Sequence, residues 1–207
     1  MKQSKKNPLD EIVFQFLVTL VEVDPLVWRR IRVLGKYSFW DLHVAIQDAM
    51  GWQDYHLHEF RLIDPKTNEQ VVIGIPNGEP FEEEIYPDYL TPISEYFVHN
   101  YEVALYIYDF GDGWRHTVAL ETWLQPEEGI QYPQCLSGER NCPPEDCGGP
   151  GGYEQFLNAI QDPNHEEHES YLTWIGGEFD PEDFDPKQVQ FDDPEERWKI
   201  AFEEPYE

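Results

Sequence analysis

Three cysteines, Cys135, Cys142 and Cys147, fall inside thirteen positions of a chain of 207 residues that has no others. Their C-x6-C-x4-C spacing is set among Gly138, Pro143, Pro144 and Gly148, residues that turn the backbone sharply. Three thiolates with one imidazole make a standard tetrahedral set for structural Zn2+. The nearest imidazoles in sequence belong to His168 and His165, at the first turn of an expected helix, where the positive end of the dipole favours the neutral, ligating form. The expectation is a zinc clip built from Cys135, Cys142, Cys147 and His168 (or His165). The paired C-x2-C of common zinc modules is absent. The competing reading is three buried cysteines acting as small apolar side chains beside two hydrogen-bonded histidines.

A second constellation comprises Asp109, Asp112 and His116 on one expected hairpin, with His56 and His58 on another strand. Strand alternation puts His58 on a face with Phe60 and Leu62, and His116 on a face with Trp114, Val118 and Leu120. If those strands are neighbours, His58, His116, Asp109 and Asp112 would form an open metal site for hydrolysis. The bland alternative is a pair of satisfied core histidines. "CGGPGGYEQFL" places glycines ahead of a helix but lacks the Lys of a P-loop, and Glu145, Asp146 and Glu154 repel an anion. The "DFG" at 109–111 has no companion kinase motifs, so it reads as a turn. "HEEHE" spaces its histidines by three rather than by the four of a zincin helix.

The elements that must position these groups are legible from periodicity. "IVFQFLVTLVEVDPLVWRRIRVLG" is an antiparallel hairpin broken at Asp24-Pro25, with Val27, Arg29, Ile31 and Val33 on one face. The arginines there are expected to pair with this chain's own carboxylates. "SFWDLHVAIQDAMGW" is a helix with a Ser38–Asp41 capping box and Gly51 at its C-cap. "HLHEFRLI" and "QVVIGI" are strands. Pro76 to Pro92 reads as a long acidic surface loop, closed by a short helix that Thr91 caps. "NYEVALYIYDFGDGWRHTVALETW" is a second hairpin turning at Gly111–Gly113. Beyond residue 125, helices follow the cysteine loop: one carrying Tyr153, Phe156, Leu157 and Ile160, one capped by Asn164, and one capped by Asp193 with Pro194 at its first position. Together these predict an α+β fold, a mainly antiparallel sheet of about six strands covered by the central helix at 38–50 and several C-terminal helices. One domain over residues 8–207 is expected, with a sheet-plus-helix core at 8–125 and a cysteine loop and acidic helical part at 126–207.

Forty-two acidic against fourteen basic residues give a formal charge of -28, and residues 126–207 alone hold 22 acids and 4 bases. Direct nucleic-acid binding is not expected, because counterion release needs cations facing the phosphates. The plausible partners are cations, basic proteins or none, and the bland reading is that acidity keeps the protein soluble. The N-terminal "MKQSKKNPLDEIVF" lacks a signal-peptide pattern and no run of about 18 apolar residues occurs, so a cytoplasmic, reducing location and no membrane span are expected.

"DPLVWRRIRV", "YSFWDLHVAIQDAMGWQDYHLHEF", "YIYDFGDGWRHTVALE", "YPQCLSGERNCPPEDCGGPGGYEQFL" and "GGEFDPEDFD" together resemble the plasmid pRiA ORF-three-like family, over roughly residues 11 to 191. The resemblance implies a distinct α+β fold without an established activity, in proteins carried by plasmids and transposons. It also implies that "PPED", "GG" and "GY" are steadier than the cysteines, which weakens the clip. Glu145 and Asp146 then acquire a structural part, capping backbone or pairing with an arginine. The functional expectation is a non-enzymatic interaction or accessory protein associated with mobile elements, zinc-stabilised if the clip forms. The alternatives are a metal-dependent hydrolase and an acidic decoy that mimics DNA toward a basic protein.

Overall fold

The computed structural model describes residues 7–76, 84–100 and 102–203. Strands β1 (Val13–Leu20) and β2 (Val27–Leu34) form the first hairpin, in unbroken antiparallel register from Val13 opposite Leu34 to Leu20 opposite Val27. The alternation in β2 sets its faces: Val27, Arg29, Ile31 and Val33 are buried while Trp28, Arg30 and Arg32 are partly exposed. With β3 (His58–Ile63), β4 (Gln70–Gly74), β5 (Ile85–Pro87), β6 (Val103–Tyr108), β7 (Trp114–Leu124) and β8 (Gln134–Glu139), the sheet runs β5-β4-β3-β6-β7-β1-β2-β8. Every pairing is antiparallel except β4 with β5.

Among the described residues eight strands replace the expected six or so, and both additions lie at the edges. β5 comes from the acidic, Pro-rich stretch read as loop, and β8 from the start of the cysteine loop. Neither has an alternating apolar pattern, and both are strands because a neighbour's open edge supplies hydrogen-bonding partners. Part of that expected loop, residues 77–83, lies outside the described residues. Its closing turn is a 3-10 segment at Ile93–Glu95 preceded by another at Asp88–Leu90. Thr91 does not cap it; the Thr91 hydroxyl donates to the Pro87 carbonyl instead.

Helix α1 (Phe39–Met50) packs on the core face of the sheet. Ser38 Oγ accepts from Asp41 N at 3.1 Å, Asp41 Oδ2 accepts from Ser38 N at 2.8 Å, and Gly51 closes the helix at φ 87°. Removing such an N-cap costs about 1 kcal/mol. Phe39, Leu42, Ala45, Ile46 and Ala49 are buried against Phe16, Phe60, Phe97 and their neighbours. α2 (Gly149–Gln161) buries Tyr153, Phe156 and Ala159, and Phe156 is met edge-on by Tyr171, Trp174 and Phe179. α3 (His168–Ile175) begins four residues after the expected Asn164 cap, because Asn164 N bonds back to Asp162 Oδ1 in a separate turn. α4 (Pro194–Trp198) starts as expected, with Asp193 accepting from Glu195 N at 2.9 Å.

Two of the β2 arginines find carboxylates: Arg30 pairs bidentately with Glu121 and Arg32 reaches Glu127. Arg29 does not. It is 1% exposed and donates to four carbonyls, those of Ala49, Trp28, Glu139 and Arg140, while Phe184 stacks on its guanidinium at 3.7 Å. The Ala49 carbonyl belongs to the last turn of α1, where backbone acceptors lack helical partners and cations are favoured. Arg29 therefore ties α1, β2 and the cysteine loop together. No helix among the described residues is long and apolar enough to cross a membrane.

Candidate functional site

The loop that carries the cysteines docks where the β6–β7 turn meets the segment between α1 and β3. Trp52 Nε1 donates to the Pro143 carbonyl at 2.8 Å. Glu145 accepts from Gln53 N at 2.9 Å through one oxygen and from the Tyr108 hydroxyl at 2.7 Å through the other. Burial first, and then that acceptor, push the Tyr108 phenol far above its usual range. Gly148 N donates to Asp112 Oδ2 at 3.0 Å. Gly149 follows at φ 70°, where a Cβ would stand 2.3 Å from the Asp112 carbonyl oxygen, so only glycine permits this approach. Glu145 thus caps backbone, and Asp146 meets an imidazole rather than an arginine.

That imidazole is His56. Its Nε2 lies 3.0 Å from Asp146 Oδ1 and 3.6 Å from Asp109 Oδ2. Asp109 holds a left-handed backbone, φ 56°, and its Oδ1 accepts from Gly111 N and Asp112 N, which leaves Oδ2 directed at His56. The ligand atoms of His56, Asp109 and Asp146 all lie within 4.8 Å of one another. Beside them is an open cavity of about 420 Å³ lined by Trp52, Gln53, Tyr55, Glu145, Asp146 and Trp174, among others.

A second polar group is sealed inside the core. The rings of His43 and His58 stack in parallel, 3.5 Å between centroids. His43 Nδ1 is 2.8 Å from the Tyr106 hydroxyl, which also receives Gln47 Nε2 at 2.8 Å, and His43 Nε2 is 2.8 Å from Asp54 Oδ1. This network assigns the tautomer: Tyr106 donates to Nδ1, and the Nε2 proton goes to Asp54. His58 Nε2 donates to Asp88 Oδ2 at 2.9 Å, and Arg197 approaches the far oxygen of Asp54 at 3.9 Å. Burial lowers the pKa of His43 to about 3 and of His58 to about 4, and raises Asp54 to about 6. The Asp54–His43–Tyr106 chain has the connectivity of a proton relay, yet Tyr106 is fully buried.

The four residues of the expected hydrolytic site are distributed differently. His58 on β3 stands opposite Tyr108, and His116 on β7 opposite Tyr106, so strand β6 separates them. His116 is packed against Trp52 and Tyr106 with no well-formed hydrogen bond to either ring nitrogen, and burial lowers its pKa to about 3. Asp109 and Asp112 share the hairpin turn; His56 reaches Asp109, while Asp112 accepts from Gly148 N. The cysteines carry no disulfide: Cys142 is buried in the main core, and Cys135 and Cys147 are half-buried against it. Burial pushes the thiol of Cys135 up to about 11 and of Cys147 up to about 12, and Cys142 higher still. His168 Nδ1 donates to the Ala159 carbonyl at 2.9 Å, and His165 Nδ1 accepts from Glu167 N. Among the described residues no group of three close ligand atoms includes a cysteine, His165 or His168. His43, Asp54 and Asp88 escaped the sequence reading, although His43 shares the buried helical face of Phe39 and Ile46.

A family model described as Plasmid pRiA4b ORF-3-like protein matches residues 12–188, which include the dock, the stacked histidines and Arg29. The chain belongs to this family. The pRiA4b ORF-3-like chain is 37% identical over 179 residues to the uncharacterized protein y4hQ of Sinorhizobium fredii, covering 86% of this chain and 87% of that relative. It is also similar to the crystal structure of a protein of unknown function from Methanosarcina mazei Go1, at 45% identity and a TM-score of 0.81, covering 87% of this chain and 99% of the other.

Proposed function

We propose that this pRiA4b ORF-3-like protein is a non-enzymatic interaction protein that offers an acidic C-terminal surface to a basic protein partner. The observation that carries the reading is one of placement: every acidic residue from Asp162 to Glu203 is exposed. Three of the four bases nearby are already engaged, Arg140 with Glu139 and Glu182, Arg197 with Asp48 and Asp192, and Lys199 with Glu195 and Glu196, which leaves Lys187 as the exception. Among the described residues most of the remaining carboxylates pair with no lysine or arginine, so a positively charged partner gains their field. The core histidines support the same reading, since His43, His58 and His116 are committed to packing. The family's plasmid association extends the proposal to an accessory role beside a basic, DNA-handling protein in the cytoplasm.

Binding of a fluorescent arginine-rich peptide, followed by anisotropy, tests it. Affinity is expected to fall by more than tenfold between about 50 and about 300 mM salt, as the screening length contracts to roughly 6 Å. Neutralising Glu166, Glu178 and Asp183 to their amides should weaken binding several-fold more than neutralising Asp24, Glu69 and Glu84, which are equally exposed but lie elsewhere in the chain. Equal effects from the two sets would refute a localised surface. Displacement of the peptide-contacting surface by a DNA-binding protein, competed in turn by duplex DNA, would identify the decoy form of the same proposal.

A further inference from the structure

We propose that His56, Asp109 and Asp146 bind one first-row divalent metal ion, with zinc the best match. Bonds of about 2.0–2.2 Å to nitrogen and oxygen in a tetrahedron place neighbouring ligand atoms about 3.3–3.5 Å apart. The two separations from His56 Nε2, 3.0 and 3.6 Å, bracket that edge length, and all three ligand atoms lie within 4.8 Å of one another. Three residues converge here from three separate elements, the α1–β3 segment, the β6–β7 turn and the cysteine loop.

The Asp109 carboxylate supplies an independent observation. Asp109 is 7% exposed, and its Oδ1 is occupied by two backbone donors. Its Oδ2 receives no hydrogen bond among the described residues, although it is aimed into the triad 3.6 Å from His56. The side chain as a whole is 11% exposed, so this oxygen has little water around it and a cation is a fitting partner for it. No lysine or arginine pairs with Asp109 or Asp146 among the described residues, so two carboxylates and one imidazole leave the position negative. The donor set of one nitrogen and two oxygens suits Zn2+, Co2+ or Mn2+ better than Mg2+, which retains waters and prefers oxygen throughout. Three protein ligands leave a fourth position for water. Asp146 also lines the 420 Å³ cavity, so that position borders space a small ligand can enter. The site uses no sulfur, which separates it from a cysteine clip, and it stands whether or not the acidic face binds a partner.

Isothermal titration of the chelator-stripped full chain with Zn2+ at pH 7 tests the proposal. One ion per chain is expected. Asp146→Asn and His56→Gln, both at partly exposed side chains, should each weaken binding by at least about 100-fold, the upper end of what losing a ligand's own hydrogen-bond partner costs. Unchanged tryptophan fluorescence would show that both variants are folded. Cys135→Ser, Cys147→Ser and His168→Ala should bind as the parent does. Co2+ in place of zinc should give tetrahedral visible bands without thiolate charge transfer. Absence of binding by the parent chain overturns the proposal. So does binding that survives both triad substitutions, which an adventitious ion at the partly buried His165 and His168 would produce, and so does a thiolate band.

Discussion

Acidification from pH 7 to pH 5 should strip this protein of much of its stability, and three buried imidazoles set the size of the effect. His43, His58 and His116 have folded-state pKa values lowered to about 3, 4 and 3 by desolvation, against 6.5 in the unfolded chain. Depressed folded values mean that the unfolded chain takes up protons first. Stability is therefore complete above pH 6.5 and is lost as pH falls toward the folded values. At pH 5 each imidazole has lost roughly 1.5 units' worth, about 2 kcal/mol, and the folded values need only lie below 5 for this to hold. Three such groups give about 6 kcal/mol. Asp54 acts oppositely: its folded pKa is raised to about 6, so its contribution is greatest at low pH and is lost as pH rises through 6. It returns about 1 kcal/mol between pH 7 and 5, and Asp41 and Asp48, also raised by burial, act in its direction. A net loss of about 4–5 kcal/mol remains, comparable with the whole stability of many domains. Urea unfolding followed by tryptophan fluorescence at half-unit pH steps measures it. Stability that is level or rising from pH 7 to pH 5 would show that these imidazoles are not buried neutral, and the account of the core would fail.

Substitutions isolate the parts. His116→Phe removes two buried nitrogens without well-formed hydrogen bonds, so stability at pH 7 should stay within about 1 kcal/mol of the parent while the acid-induced loss shrinks by about 2 kcal/mol, somewhat under half; a loss above 3 kcal/mol in chemical denaturation would contradict this. Arg29→Met leaves four carbonyls without their shared donor and should cost about 4–5 kcal/mol in urea unfolding, whereas Arg30→Met, at a partly exposed ion pair, should cost about 1. Gly149→Ala forces a Cβ within 2.3 Å of the Asp112 carbonyl at a positive φ and should cost at least about 2 kcal/mol, with faster amide exchange at Gly148 as the loop lifts from the hairpin. Glu145→Gln keeps the size but removes the charge that Gln53 N and Tyr108 address, and a loss of about 1–2 kcal/mol is expected by the same assay.

What the sequence disclosed and what it withheld follow one rule. Strongly periodic segments announced themselves: the β1–β2 hairpin, the capped helix α1 and the β6–β7 hairpin lie where alternation, capping box and Gly-Asp-Gly turn put them. The edge strands β5 and β8 did not, because their pattern is borrowed from neighbours with open hydrogen-bonding edges. The same limit applies to the sites. His58 and His116 were placed inward by alternation, but strand order decides their separation, and β6 lies between them. His56 looked like the lesser of two histidines, and the fold of the cysteine loop brings Asp146 to it across ninety residues. The arginines of β2 were expected to meet carboxylates; Arg29, on the buried face, meets carbonyls because a loop and a helix end converge there. Cysteine spacing drew attention to the right loop, whose docking contacts come instead from Pro143, Glu145, Asp146 and Gly148.

Nuclear magnetic resonance most directly tests whether the acidic face is the working surface. With the 15N-labelled full chain, stepwise addition of an arginine-rich peptide at low salt should move amide resonances clustered between Asp162 and Glu196, leave those of β3, β4 and β6 in place, and lose the effect as salt is added. Shifts spread evenly over all exposed acids, or centred on the β1–β2 hairpin, would contradict it.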